Sequence, residues 1–412
     1  MEHDTDILIS GAGIAGLVAA AGLAGLGHRV TIVDPAPPAT SAETQGSDLR
    51  STAYLQPARA LFERLGLWSL LAEAATPLAA LQVIDTSGWP PVERDRRLFT
   101  PDDLGETVFG WNLLNWHTHG LLSRHLAAMP GVTLRHQVGF ADMLQRDDIV
   151  RVRLTDGKRL TARLVVGADG RSSPVARAAG IAMNTRRYGQ KAMAFVARHT
   201  LPHGDVSTEI YNSGGAFTTV PLPDHNGAPA SAIVWMNDGP RAQDLMALDD
   251  AALGNEMTLR ACAVLGDMRP ISPRRLWPVI TQTAEALTAR RVALIAEAAH
   301  VLPPIGAQGL NTSLQDVAAL LDSLSHDPGA PDGLNRYANA RTRDVAARAA
   351  VIDLFNRVCQ SDTPAVQALR LAGLRKVYDI APLRRGVMRA GLGKRHAPNQ
   401  APNQAPNQAA NT

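Results

Sequence analysis

The chain has 412 residues, of which 45% are apolar and 19% charged, an ordinary globular composition that excludes a disordered protein and allows two or three domains with a core needing neither disulfide nor metal. Lys and Arg outnumber Asp and Glu only slightly (41 against 38), and no basic run has the length of a nucleic-acid footprint. Cys262 and Cys359 fit no metal or redox spacing, the opening Met1 to Asp6 is polar and acidic without a secretory pattern, and no apolar run reaches the ~18 residues of a spanning helix, so a cytoplasmic, reducing setting is expected.

Asp6 to Ile9 is a short apolar run that predicts a strand. A glycine turn follows, then an Ala- and Leu-rich helix from Ile14 to Leu26, a stop at Gly27, and a second strand over Val30 to Val33. Leu61, Leu65, Leu67 and Leu71 recur at helical spacing and predict a helix over Ser51 to Ala74. Residues 81 to 107 show no period, and Trp89-Pro90-Pro91 marks a loop. Leu121 to Met129 predicts a helix and Val132 to Leu134 a strand. Val150 to Leu154 alternates like a half-exposed strand before the Asp156-Gly157 turn, and Leu164 to Val166 predicts a buried strand. From Met183 to Leu276 short β-like runs separated by turn residues predict a β-rich insertion. Val292 to Ile295 returns to the buried-strand style, followed by helices over Thr312 to Ser325, Leu334 to Val358 and Pro364 to Val377. Arg370, Arg375, Lys376, Arg384, Arg385, Arg389, Lys394 and Arg395 lie near the C-terminus among Leu and Val. They predict a solvated helix face or a surface for anionic lipid or a partner. The repeated Ala-Pro-Asn-Gln of the tail is too polar to fold.

Three segments carry chemistry. Gly11-Ala12-Gly13-Ile14-Ala15-Gly16 matches the G-x-G-x-x-G turn and has the strand before it and the helix after it that the pattern requires. Gly11 makes the turn, Gly13 lets the backbone approach a pyrophosphate, and Gly16 lets helix and strand pack. Asp34 ends the next strand, where a carboxylate can accept hydrogen bonds from an adenosine ribose. The turn alone does not separate NAD from FAD. The second segment, Gly167-Ala168-Asp169-Gly170, follows a buried strand, and Asp169 can accept a hydrogen bond. In the third, a strand leads to Ala296-Glu297, then to a loop from Pro303 through Pro304, Gly306 and Gly309 to Leu310 and Asn311, then to a helix near Thr312. That loop lacks bulky side chains, so its backbone can lie against a flat ring, with the helix's positive end aimed at it.

With these segments in this order and spacing, the chain resembles the FAD-dependent aromatic hydroxylases of the para-hydroxybenzoate hydroxylase fold, and is most similar to the ubiquinone-biosynthesis hydroxylases. Asp48 to Ala53, Leu65 to Trp68, Phe217 to Pro223 and Arg384 to Leu392 extend the resemblance to about residue 395. It implies an α/β protein: a Rossmann-type FAD-binding domain (1–75, 103–180 and 277–395), an inserted β-rich substrate domain (76–102 and 181–276), C-terminal helices, and a disordered tail over 396–412. It also implies a monooxygenase in which NAD(P)H, bound transiently for want of a second glycine turn, and O₂ serve ring hydroxylation through a C4a-hydroperoxide of FAD. Carried over position by position, Asp34 meets the ribose and Glu297 the ribityl–pyrophosphate portion. Arg50 faces the flavin. Asp169 and Gly170 belong to a motif tied to both FAD and NAD(P)H. Pro304, Gly306, Gly309, Leu310 and Asn311 border the isoalloxazine.

Two positions depart from the pattern. Ala296 stands where relatives have glycine, which weakens FAD binding if the position needs a positive φ. His119 stands near where relatives have arginine or glutamine. No catalytic base is singled out: Tyr211, His203 and His225 could reach a phenol, and each could equally be a packing or solvent-facing residue, while Gln308 and Asn311 could contact the flavin or brace the loop. The expected substrate is a prenylated phenol of ubiquinone biosynthesis, with peripheral contact to the inner membrane or to a biosynthetic complex. The alternatives are a small soluble aromatic acid, which calls for an arginine clamp, and a flavin-binding assembly subunit with little turnover.

Overall fold

The computed structural model describes residues 3–393. The tail expected over 396–412, with Lys394 and Arg395, lies outside them. The first of two large sheets has five parallel strands in the order Val292–Leu294, Leu164–Gly167, Ile7–Ser10, Val30–Asp34 and Val132–His136, with Thr288–Ala289 added antiparallel at one edge. Its central strands are buried almost throughout and mostly apolar because helices cover one face and a meander covers the other. The helices are Ile14–Gly25 and Gln308–Ser323. They approach so closely that a Cβ on Gly22 would stand 2.4 Å from Leu321. The meander is Phe140–Gln145, Val150–Leu154 and Arg159–Ala162, and it sends Phe140, Val150 and Val152 into the same core.

The second sheet has nine strands and is antiparallel except where Val206–Asn212 pairs parallel with Ala80–Ser87. One face packs on the helices Gly239–Ala247 and Asp250–Arg260 through Phe195, Phe217, Trp235, Leu253 and Met257. The other face turns Tyr211, Val234 and Val279 toward Ile305 and the C-terminal helices. The strand Arg275–Ala284 belongs to this sheet and runs through the expected boundary at residue 276, and His300–Val301 pairs onto it. The second sheet therefore reaches the loop that leads to Gln308.

Several elements differ from expectation. Ser51–Leu55 is a strand, and the helix begins at Gln56 with Pro57 in its first turn, where a missing N–H costs nothing. Residues 81–107 contain a hairpin of Ala80–Ser87 and Val92–Phe99 turned at Trp89-Pro90. The helix expected from Thr312 starts at Gln308, and the one expected from Leu121 starts at Asn115. Beyond Pro331–Gln360 and Pro364–Asp379 lies a further helix, Ala381–Leu392. The basic C-terminal residues are not one solvated face. Arg370 is buried, 2.5 Å from Asp85, and Arg375 and Arg384 pair with Asp95 and Asp103 at 2.9 and 2.7 Å. These ion pairs clamp the last helices onto the Ala80–Phe99 hairpin and the short helix after it.

Candidate functional site: a cofactor cavity continuous with an apolar chamber

A single cavity of about 1390 Å³ runs from the glycine turn to the C-terminal helices. That is larger than a usual small-ligand pocket of roughly 300–1,000 Å³ and has room for a dinucleotide and a second molecule.

At its inner end, the Ile14–Gly25 helix presents an N-terminus with no side-chain cap, and Gly13, Ala15 and Gly16 line the cavity. Gly11 has φ +104°, and a Cβ there would stand 2.3 Å from the Ala168 carbonyl oxygen, so the turn packs backbone on backbone. Asp34 lines the cavity while accepting hydrogen bonds from the amides of Ala12 (2.7 Å) and Ala36 (2.8 Å). His119 also lines it and donates through Nε2 to the Ala12 carbonyl at 2.7 Å. Burial holds His119 below the usual imidazole range, and Asp34 and Asp48 only partly oppose this, so it stands neutral at pH 7.

In the middle, Arg50 forms a two-point pair with Asp48 (Nε–Oδ1 and Nη2–Oδ2, both 2.7 Å) and lies 3.7 Å from Glu297 and 5.4 Å from the centre of the Trp277 ring. Asn115 donates to the same Asp48 at 3.0 Å. Ala296 has φ +56°, so the left-handed conformation on which its effect depends is present. Asp316 holds it there: one carboxylate oxygen accepts the Ala296 amide (3.0 Å) and His300 Nε2 (2.7 Å), and the other accepts Arg341 Nε (2.8 Å). Burial alone would raise the Asp316 carboxyl, but His300 and Arg341 outweigh it and hold it below the usual carboxylate range.

At the outer end, Pro304, Gly306, Gly309 and Leu310 line the cavity. The Gln308–Ser323 helix opens on Ala307 at φ +55° without a side-chain cap. Gln308 braces the loop: its Nε2 donates to the Gly306 and Gly391 carbonyls (2.8 and 2.9 Å), and its Oε1 accepts from Arg348 (2.8 Å). Facing the loop, Glu209 and Tyr211 share one side of the strand Val206–Asn212. The Tyr211 hydroxyl donates to Glu209 Oε2, and the Gly306 amide donates to Glu209 Oε1 at 3.1 Å. Burial pushes both groups up from their ordinary values, against the lowering effect of those two hydrogen bonds on Glu209.

Among the expected contacts, Gly13, Ala15, Gly16, Asp34, Arg50, Gly170, Glu297, Pro304, Gly309 and Leu310 are brought to one surface, with Gly306 beside them. Gly11, Asp169 and Asn311 stand behind the wall instead. Asp169 accepts from Ser10 Oγ (3.0 Å) and the Val175 amide (3.3 Å). The Asn311 side-chain amide accepts from Leu55 N (3.0 Å) and donates to the Ala53 and Ala307 carbonyls (both 2.7 Å), contacts that brace the loop. His203 is tied to the Leu222 carbonyl and His225 is exposed, so of the three residues considered for a phenol only Tyr211 lines the cavity. Glu209 and Asp316 were missed. A lone carboxylate in the otherwise uncharged run Val206 to Asn212 was the available signal for Glu209.

Two uncapped helix N-termini aim at this cavity, and Gly13, Gly170 and Gly309 line it with nothing within 4 Å of where a Cβ would stand. A diphosphate wants the first and a flat ring the second, so these residues fit a flavin dinucleotide. Fold and cavity define a protein that binds FAD. The chain belongs to the family described as FAD binding domain, whose profile matches residues 4–351. It is similar to a ubiquinone hydroxylase of Rhodospirillum rubrum, at 31% identity over 94% of this chain and 89% of that one. It is also similar to the 3-demethoxyubiquinol 3-hydroxylase of Escherichia coli, at 27% identity over 95% and 99%. In fold it resembles p-nitrophenol 4-monooxygenase of Pseudomonas putida, with TM-score 0.77 and 19% identity over 96% of this chain and 100% of that one.

Proposed function

We propose that the protein is an FAD-dependent monooxygenase that hydroxylates a prenylated phenol in ubiquinone biosynthesis, with NAD(P)H and O₂ as co-substrates. The observation that carries the choice of substrate is the outer wall of the cavity. Val351, Phe355, Leu369 and Val387 line the cavity and are also exposed, so it reaches the surface between the last three helices through apolar side chains. An isoprenoid tail fits such a mouth, burying its methylenes at ~0.8 kcal/mol each. Leu369, Ile380, Leu383 and Val387, with Lys376, Arg385 and Arg389 exposed among them, support delivery from an anionic membrane surface. Among the described residues no helix is long and apolar enough to cross a membrane.

Bound FAD supplies the electron and oxygen chemistry. The chain's own part is to hold, orient and shield. The Ile14–Gly25 helix end and Asp34 would receive the adenosine half, and Arg50 and Glu297 would flank the middle. The uncapped amides of Gly309 and Leu310 would present a positive dipole end to the ring, worth ~1 kcal/mol toward an anionic ring. The second sheet would exclude water from the covered side of the ring. Complementation of strains blocked at single quinone-hydroxylation steps, with quinone intermediates identified by mass, tests this function. Rescue of one step is expected. Failure at every step by a stable, flavin-loaded protein overturns it.

A further inference from the structure

The loop expected to face the flavin holds a backbone shape that its own residues do not favour. Gly306 and Ala307 follow one another in the left-handed region, at φ +61° and +55°, and for alanine that region is costly. Residues persist there only where the surroundings fix them. Gly306 is fixed at both of its peptide groups. Its N–H donates to Glu209 Oε1 on the second sheet (3.1 Å), and its carbonyl accepts from Gln308 Nε2 (2.8 Å).

Gln308 reaches further than Gly306. Its Nε2 also donates to the Gly391 carbonyl (2.9 Å), in the last turn of the Ala381–Leu392 helix, where carbonyls lack a partner within the helix. Arg348, on the Pro331–Gln360 helix, donates to Gln308 Oε1 (2.8 Å). A guanidinium only donates, so it decides which way the amide faces and turns both N–H groups toward the two carbonyls. Arg348 is itself held by Asp344 (3.1 Å). One side chain thus ties the loop to the end of the last helix, and a second sets the orientation of that tie. Val387, Met388 and Leu392 of the last helix line the chamber, so a molecule lodged there bears on the same tie.

We infer that Gln308 is a positioning residue through which the seat of the last helix sets the loop that faces the flavin. The helix is anchored about two turns from Gly391, outside the cavity, where Arg384 meets Asp103 at two points (2.7 and 2.8 Å). Loosening that anchor reaches the flavin only while Gln308 transmits it.

This inference rests on the placing of the ring against the loop proposed above. The test is a double-mutant cycle on the full chain, read as FAD affinity by fluorescence titration and as visible circular dichroism of the bound flavin. In the wild type, Arg384→Ala is expected to weaken FAD by about threefold and to alter the dichroism. In Gln308→Met, which keeps the size and removes all three hydrogen bonds, the same change is expected to cost less than about 1.5-fold and to leave the dichroism as it was. Gln308→Met by itself should weaken FAD by about fivefold. Asp103→Asn breaks the anchor from its other side and should repeat the result. The urea midpoint is expected to fall equally with Arg384→Ala in both backgrounds, which separates lost stability from transmission. Gln308→Glu keeps the size and the Arg348 contact but lacks both donors, and it replaces Gln308→Met if that variant fails to fold. Equal effects of Arg384→Ala on the flavin in both backgrounds, or none in the wild type, overturn the inference and leave the placing of the ring standing. A flavin that Gln308→Met leaves unchanged in affinity and dichroism overturns both.

Discussion

The two ends of the cavity are built differently. The glycine-turn end, proposed for the adenosine half, is backbone against backbone: Gly11 on Ala168, Gly16 on Gly11, and Asp34 on two amides, all within residues 10–36 and 164–170. The opposite end, proposed for the flavin ring and substrate, is assembled from side chains of at least five separate segments: Asp48–Arg50, Glu209–Tyr211, Ala296–His300, Pro304–Leu310 and the last three helices. In the first, Gly11 and Gly16 leave no room for an added atom. The second holds together by exchanged hydrogen bonds, so it can be altered piece by piece.

Substitutions at four positions set the two ends against each other. Gly16→Val should act most strongly, because its Cβ would stand 2.1 Å from the Gly11 carbonyl oxygen. Backbone cannot yield as a flexible side chain can, and we expect FAD affinity to drop by ~100-fold or more, read as flavin content after gel filtration. Asp316→Ala strips buried partners from Arg341 and His300 and should cost about 3–5 kcal/mol in urea unfolding. Because its folded pKa lies below the unfolded value of ~3.9, Asp316 contributes stability above about pH 4 that is lost as pH falls through the folded value. Acid unfolding of Asp316→Asn should accordingly show a shallower loss in that range than the wild type, and an unchanged acid limb would argue against the coupling. Ala296→Gly relieves a left-handed alanine, worth ~1–2 kcal/mol, against a glycine entropy cost of ~0.5–1 kcal/mol. A gain in FAD affinity of about fivefold or less is expected by fluorescence titration, and weaker binding would show that the strain lies elsewhere. His119→Arg places a permanent cation where a neutral imidazole stands, and should tighten FAD by about threefold at low salt, with the gain fading at high salt.

The same contrast explains what the sequence could reveal. The glycine turn and Asp34 form one short local pattern whose spacing states its geometry. The helical spacing of the leucines downstream extends the predicted helix back over Ser51–Leu55, a strand, although Pro57 marks a helix's first turn. The hairpin after Ala80 was hidden by the polar run Glu93 to Arg97, in which Arg94 and Arg97 answer to carboxylates outside it, Asp85 and Asp379. Asn311 had a contact role in the resemblance, but two of its three amide partners, Leu55 and Ala53, lie 256 and 258 residues away in sequence, which no local pattern reveals. Glu209 needed its partner, the Gly306 amide, to acquire meaning.

The chamber's outer wall comes from residues after Asp344, while the glycine turn and its supports come from residues before Arg171. Mutation can therefore reshape what enters, at Val351, Phe355, Leu369 or Val387, without touching the backbone that grips the cofactor. A lineage can drift from one ring substituent or tail length to another through flavin-loaded intermediates, each still able to turn over.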